Sequence, residues 1–248
     1  KEFLVLSANQ KPIQDNLKVL TEALATQCFL NEYVYAQSLE EEELVKQLTS
    51  RARENQNSFN QYLAIIACFT SIHKLDLNKE WLESYSTASE ESKTLIQIQL
   101  EEPREEKRIK SSIQGDSEVT DAVSVKVQGM YEENPYPRYR YAEFTDTSLA
   151  KNISKAIRLE STKRNLQFSE ALTSNQSRPK ILIAGCGTGN QVITSSRYKN
   201  AQITAIDLST SSLSYAIRKA KDYGMNNVDF RKIDLLDVSA LDEIFDTI

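Results

Sequence analysis

Only six glycines and a single histidine occur in 248 residues. The histidine, His73, stands in a helical stretch far from any other candidate site and reads as structural rather than catalytic. The three cysteines, Cys28, Cys68 and Cys186, are odd in number and far apart, so they give neither a metal-ligand spacing nor a disulfide framework. No uninterrupted apolar run approaches membrane-spanning length, and no signal peptide is visible at the start. The expectation is therefore a cytoplasmic protein with no membrane partner. An excess of positive charge is also lacking: the formal net charge is −5. That balance gives no support for broad nucleic-acid binding. The length allows one or two domains with an ample core.

The scarce glycines are concentrated. Three of the six fall within the five positions of Gly185-Cys186-Gly187-Thr188-Gly189. An apolar run, Ile181-Leu182-Ile183-Ala184, leads into them and reads as a buried strand. A second apolar run, Ile203-Thr204-Ala205-Ile206, follows and ends in Asp207, 18 residues after Gly189. Strand, glycine turn, helix, strand, acid is the layout of a ribonucleotide site at the edge of a parallel sheet. A ligand-free turn seldom needs three glycines. A dinucleotide site is the sharper alternative, but it usually spaces its glycines G-x-G-x-x-G, and here the spacing is G-x-G-x-G.

That spacing, with the acid ending the next strand, resembles motif I of the class I S-adenosylmethionine-dependent methyltransferases. The resemblance implies S-adenosylmethionine as cofactor and a glycine turn passing close under its amino-acid part. A Cβ would block such an approach, and some turn positions require positive φ. It further implies that the Asp207 carboxylate accepts both ribose hydroxyls. Downstream, Val228, Phe230 and Ile233 suggest a third strand ending at Asp234-Leu235. In the family an acid here accepts from the adenine amine, and the next backbone N–H meets a ring nitrogen. The implied cofactor contacts are Gly185, Cys186, Gly187, Thr188, Gly189, Asp207, Leu208, Asp234 and Leu235. Ser209 and Thr210 can cap a helix after Asp207, with Leu213, Ile217 and Ala220 on one face and Gly224 closing it.

The chain divides near residue 130, and before that point nearly everything reads as helix. Leu17, Leu20, Leu24 and Cys28 form an apolar stripe, and Leu44, Val45, Leu48 and Ala52 a second. The acidic run Glu40–Glu43 reads as a solvated helix start. Ser58 with Gln61 offers a capping box for a helix carrying Phe59, Leu63, Ile66 and Ala67. Trp81, Leu82 and Tyr85 mark a short helix. Leu95, Ile96, Ile98 and Leu100 mark another, ended by the approach to Pro103, which can open the next with Glu105 and Glu106 in its first turns. Val119, Val123, Val127 and Met130 complete the set. Packed antiparallel helix pairs are the natural outcome. No strict 34-residue self-similarity is present, and a repeat solenoid ahead of this segment is compatible with the pattern.

Residues 131–147 connect the two parts. Four tyrosines and two arginines crowd into the eleven positions Tyr131–Tyr141, around two prolines one residue apart. Composition alone allows a stiff linker whose rings pack on the next domain. The string YEENPYPR, followed by AGCGTG, resembles a group of bacterial methyltransferases that carry tetratricopeptide repeats upstream. The segment Gln27–Val34 is similar to the same group's lead-in. Tyr139 departs from the group, which carries tryptophan there. We expect this segment to lie across the cofactor mouth, with Tyr136 or Arg138 near the methionyl carboxylate or the incoming substrate.

The expected architecture is α/β: an all-α domain over 1–130, the connector over 131–147, and a Rossmann-like class I methyltransferase sheet over 148–248 that ends near its fourth strand, whose opening is Phe245-Asp246-Thr247-Ile248. Three strands alone would leave apolar surface exposed on one side. The expectation is a fragment, poorly active by itself, and no catalytic residue is named. Other function classes remain open: an NAD-linked oxidoreductase, or a non-catalytic interaction module with a relic cofactor fold. The methyl acceptor is not legible. A helical partner-binding domain suggests, by analogy, a protein or peptide acceptor.

Overall fold

The structure is a computed structural model, and it describes residues 15–114, 119–164 and 178–248. Tertiary contacts divide the chain between Glu105 and Glu106, ahead of the boundary near 130 that composition suggests.

The first unit is helical in its described residues: α1 (Asp15–Leu30), α2 (Leu39–Ala52), α3 (Gln56–Ala67), a 3₁₀ turn (Ile72–Lys74), α4 (Lys79–Ser86), α5 (Glu90–Ile96), a π-turn (Gln97–Glu101) and the start of α6 (Glu102–Ser112). Ser38 and Glu41 form a reciprocal capping box at α2, whose acidic first turn is solvated as expected. The cap of α3 is Asn55, whose side chain accepts from the Ser58 N–H, so the helix starts ahead of the Ser58–Gln61 box read from sequence. Pro103 does not end the preceding helix. The π-turn carries the helical backbone through, and Pro103 follows it as the second residue of α6.

Packing reverses one expected face. In α1 the buried side chains include Thr21, Glu22, Ala25 and Phe29, while Leu20 and Leu24 of the apolar stripe lie exposed. Buried polar groups select that face. The Glu22 carboxylate accepts from the Tyr85 hydroxyl at 2.6 Å and the Ser92 hydroxyl at 2.7 Å. Gln99, in the π-turn, donates to the carbonyls of Ala25 and Ala67 and accepts from the Ile72 N–H. Each of these bonded atoms is desolvated and takes its partner there, while Glu22 Oε2 is buried without a hydrogen bond. Around them, Phe59 meets the rings of Trp81 and Tyr85 edge-on, and Leu63, Ile72 and Leu95 fill the centre. His73 packs in the 3₁₀ turn with its Nδ1 2.6 Å from the Ser71 hydroxyl.

The second unit contains the rest of α6, α7 (Ala122–Glu133), α8 (Ile153–Arg164), β1 (Lys180–Ala184), the short α9 (Asn190–Thr194), β2 (Gln202–Asp207), α10 (Thr210–Asp222), β3 (Val228–Lys232) and a 3₁₀ segment (Leu235–Leu241). The three strands are parallel, in the order β1-β2-β3, with Ala184 opposite Ile206 and Asp207 opposite Lys232. This is a Rossmann-like sheet of the kind expected, following a helical unit. The fourth strand opens only as an isolated bridge, Ile181 to Thr247.

Both faces of β1 and β2 are covered, contrary to the exposed side expected. Ile181, Ile183, Ile203 and Ala205 pack with Val192 and Leu213, while Leu182 and Ile206 pack with Ile233, Leu241 and Phe245. The 3₁₀ segment folds back as a lid over the second face, so the exposed apolar residues lie later, at Leu236, Ile244 and Ile248. Helix α7 forms as expected, yet no residue of it is buried, and Val123 and Met130 are exposed. Polar contacts, described next, hold it.

Candidate functional site

The turn after β1 has the backbone that its glycines suggest. Gly185, Gly187 and Gly189 have φ of 69°, 52° and 85°, in the left-handed region. They are not equivalent. A Cβ at Gly189 would lie 2.7 Å from the Ala216 Cβ on α10, so this glycine lets helix and turn touch. A Cβ at Gly187 would meet nothing within 4 Å. Bare backbone there faces open space at the carboxyl end of the strand, where open α/β sheets bind ligands. A Cβ at Gly185 would make ordinary contact with Leu235, 3.6 Å away. The Leu235 side chain therefore lies against the turn, with the buried Asp234 beside it in sequence.

Asp207 ends β2 next to this turn. One carboxylate oxygen accepts the Gly187 N–H at 2.8 Å and the other the Ser209 N–H at 2.9 Å. Burial raises the pKa of Asp207, against the backbone donors that lower it. The Leu208 N–H contributes as well, and the carboxylate's about four lone-pair sites leave capacity for a further donor. Asp234 caps the 3₁₀ segment and accepts the Leu236 N–H at 3.0 Å. Burial pushes the Cys186 thiol up, so it stays protonated and inert as a nucleophile.

The connector is part of this unit. The Thr188 hydroxyl donates to the Pro137 carbonyl at 2.7 Å, and the Tyr139 hydroxyl donates to the Thr188 carbonyl at 3.0 Å. Residues 137–139 therefore grip the turn from outside. Further along, Lys219 donates to the Arg140 carbonyl, and the Ala142 N–H donates to the Tyr223 hydroxyl. Arg138 pairs with Glu106 at 3.2 Å, and Arg218 takes the other Glu106 oxygen at 3.0 Å. All three side chains are nearly buried, and both guanidinium groups lie over the Tyr215 ring, at 5.3 and 4.8 Å. Tyr136, by contrast, is more than half exposed.

Upstream, Gln128 donates to the Leu208 carbonyl at 2.9 Å, which ties α7 to the β2–α10 loop. Glu132 sits on the N-terminus of α10 and accepts from Thr210, Ser211 and Lys110. Burial works to raise its pKa, yet these donors and the helix end bring it down to about 2.

The structure thus brings together Gly185, Gly187, Thr188, Asp207 and Leu235, with Pro137 and Tyr139 behind the turn. Sequence reasoning missed Glu106, Gln128, Glu132, Tyr215, Arg218 and Lys219. Tyr215, Arg218 and Lys219 stand on the face of α10 opposite the expected apolar stripe, and all three are buried. A helix buried on both faces is the signal that a second layer covers it, but the charges hid that signal.

Residues 181–248 match a family model described as a methyltransferase domain. A search of curated proteins gives no match. Among solved structures the chain is similar to a geranyl diphosphate C-methyltransferase from Streptomyces coelicolor A3(2), in complex with Mg2+, geranyl diphosphate and S-adenosyl-L-homocysteine. The identity is 17%, covering 49% of this chain and 50% of that one, with a TM-score of 0.32. It is similar to the 4+2 cyclase SpnF at 21% identity, covering 49% and 45%, TM-score 0.28. It is also similar to a coclaurine N-methyltransferase bound to N-methylheliamine and SAH at 14% identity, covering 94% and 48%, TM-score 0.23. The chain spans about half the length of each of these structures. What the family match supports is a methyltransferase domain over residues 181–248, with S-adenosylmethionine as the cofactor of such a domain.

Proposed function

We propose that this chain carries the S-adenosylmethionine site of a class I methyltransferase, of the tetratricopeptide-associated bacterial group that the YEENPYPR string resembles. One observation carries the reading: a turn of three left-handed glycines at the end of β1, bare at Gly187, beside a buried carboxylate at the end of β2. In this reading Gly185, Cys186, Gly187, Thr188 and Gly189 offer backbone to the cofactor. Asp207 accepts from the ribose hydroxyls with the lone pairs its backbone donors leave, next to Leu208. Asp234 and Leu235 receive the adenine. Tyr136 has free surface to face the cofactor's amino-acid end or the acceptor, while Arg138 works through its pairing with Glu106.

When bound, S-adenosylmethionine supplies an electrophilic sulfonium methyl. The chain's own contribution is to hold that group fixed and to exclude water around it. We propose a protein or peptide as the methyl acceptor, on the strength of the helical unit, and cytoplasm as its compartment. A net charge of −5 disfavours nucleic acid.

Ligand-induced stabilisation tests this reading. S-adenosylhomocysteine at a hundred times its Kd adds about 2.7 kcal/mol to the unit that binds it. The expected result is stabilisation by that nucleoside and none by NAD, lost in Asp207→Asn. Stabilisation by NAD alone selects an oxidoreductase, and stabilisation by neither selects the interaction module. Labelled methyl transfer into a cell lysate then identifies the acceptor fraction.

A further inference from the structure

We infer that Tyr215 is a positioning residue for the cofactor turn, acting through Tyr139 and Thr188. The inference rests on the S-adenosylmethionine reading and extends it to residues that no motif marks.

The geometry is a closed chain of hydrogen bonds. Tyr215 is 2% exposed, and its phenolic oxygen meets both main-chain groups of one residue. It accepts the Tyr139 N–H at 2.9 Å and donates to the Tyr139 carbonyl at 2.8 Å. A single hydroxyl thus fixes the backbone of Tyr139 at both ends. The two rings stand edge to face, with centroids 5.5 Å apart. The Tyr139 side chain then reaches the Thr188 carbonyl, and the Thr188 hydroxyl returns to Pro137, two residues before Tyr139. Thr188 lies between Gly187 and Gly189. The peptide that must present bare backbone to a ligand is therefore held by both its hydroxyl and its carbonyl.

Arg138 and Arg218 over the Tyr215 ring share the Glu106 carboxylate, Arg218 pairs with Asp222 as well at 2.9 Å, and these pairings keep the ring and the strap in register. Asp207 holds the other side of the turn through the Gly187 N–H. A glycine-rich turn has many accessible conformations. Pinning it from both sides reduces the ordering that a ligand must impose, which raises affinity without adding a contact.

The test uses Tyr215→Phe and Tyr139→Phe, singly and together, in the 248-residue chain. Each removes one hydroxyl and keeps the ring, so packing survives. The readouts are the S-adenosylhomocysteine Kd by calorimetry and the melting temperature without ligand. The expected result is a Kd about five- to tenfold weaker in each single variant at a temperature well below melting. The double variant is expected to lose little more than either one, because both act on Thr188. Unchanged Kd with a lowered melting temperature makes the clamp merely structural and overturns the inference. Losses that multiply in the double variant also overturn it, because the two hydroxyls then act separately. A wild-type chain that binds no S-adenosylhomocysteine overturns the cofactor reading and this inference with it, whereas binding in wild type with equal affinity in the variants overturns this inference alone.

Discussion

Adding one methyl group at Gly187 and at Gly189 should produce opposite phenotypes. Both residues have positive φ, so alanine at either costs about 1–2 kcal/mol for left-handed strain alone. At Gly187 there is nothing more, because the new Cβ meets no atom within 4 Å. At Gly189 the Cβ would stand 2.7 Å from the Ala216 Cβ and 3.0 Å from its Cα, so α10 must move. Overpacking of that kind adds about 1–3 kcal/mol, for a total of about 2–5 kcal/mol. At about 2–4 °C per kcal/mol for a protein of this size, Gly189→Ala should lower the melting temperature by about 4–20 °C, against about 2–8 °C for Gly187→Ala.

Ligand binding should rank the two differently. The Cβ of Gly187→Ala projects into the space proposed for the cofactor, so its affinity for S-adenosylhomocysteine should fall at least tenfold, or about 1.4 kcal/mol, beyond any effect of stability. Scanning calorimetry gives the melting order, and isothermal titration at a temperature where both variants are folded gives the affinities. Gly187→Ala binding as tightly as wild type would refute the placement of the cofactor against this turn. Equal melting of the two variants would refute the argument from Ala216.

Other perturbations address the layer behind the turn. Glu106→Gln removes the carboxylate that Arg138 and Arg218 share in a nearly buried site and leaves Arg218 its half-exposed partner Asp222, so the loss should be about 2–3 kcal/mol. A urea titration should show a lower midpoint at unchanged slope, and a loss under about 1 kcal/mol would mean that the pair is solvated. Glu132 has a folded pKa of about 2 against a usual 4.5, so its contribution is present above pH 4.5 and is lost as pH falls toward 2. After a discount for its partial exposure this amounts to about 1–2 kcal/mol. Stability measured between pH 6 and pH 2.5 should fall less steeply in Glu132→Gln than in wild type, and parallel curves would remove the helix-end role.

The glycine turn and its strands were legible in the sequence because their constraints are local. Gly185, Gly187 and Gly189 announce a backbone that other residues resist, and continuous apolar strands flank them. The second layer was not legible, for an equally physical reason. Arg218 and Lys219 read as the solvent face of an amphipathic helix, and only contact with Glu106 and the Arg140 carbonyl, far off in sequence, turns that face inward. In the helical unit Leu20 and Leu24 made the better apolar stripe, but the bonds from Tyr85 and Ser92 to Glu22 Oε1 form only when the other face is inside. Periodicity counts methyl groups and does not see that arrangement of polar partners.

The grip of residues 106–142 on α10 also bears on how this protein can be cut and recombined. A module trimmed to the recognisable motifs, starting near residue 148, would strip Glu106 from Arg218, leave it only the half-exposed Asp222, and uncover the Tyr215 phenol. The transferable cassette therefore begins at Glu106, and a chimaera that borrows the glycine turn without those upstream residues would inherit the letters of the motif but lose its scaffolding.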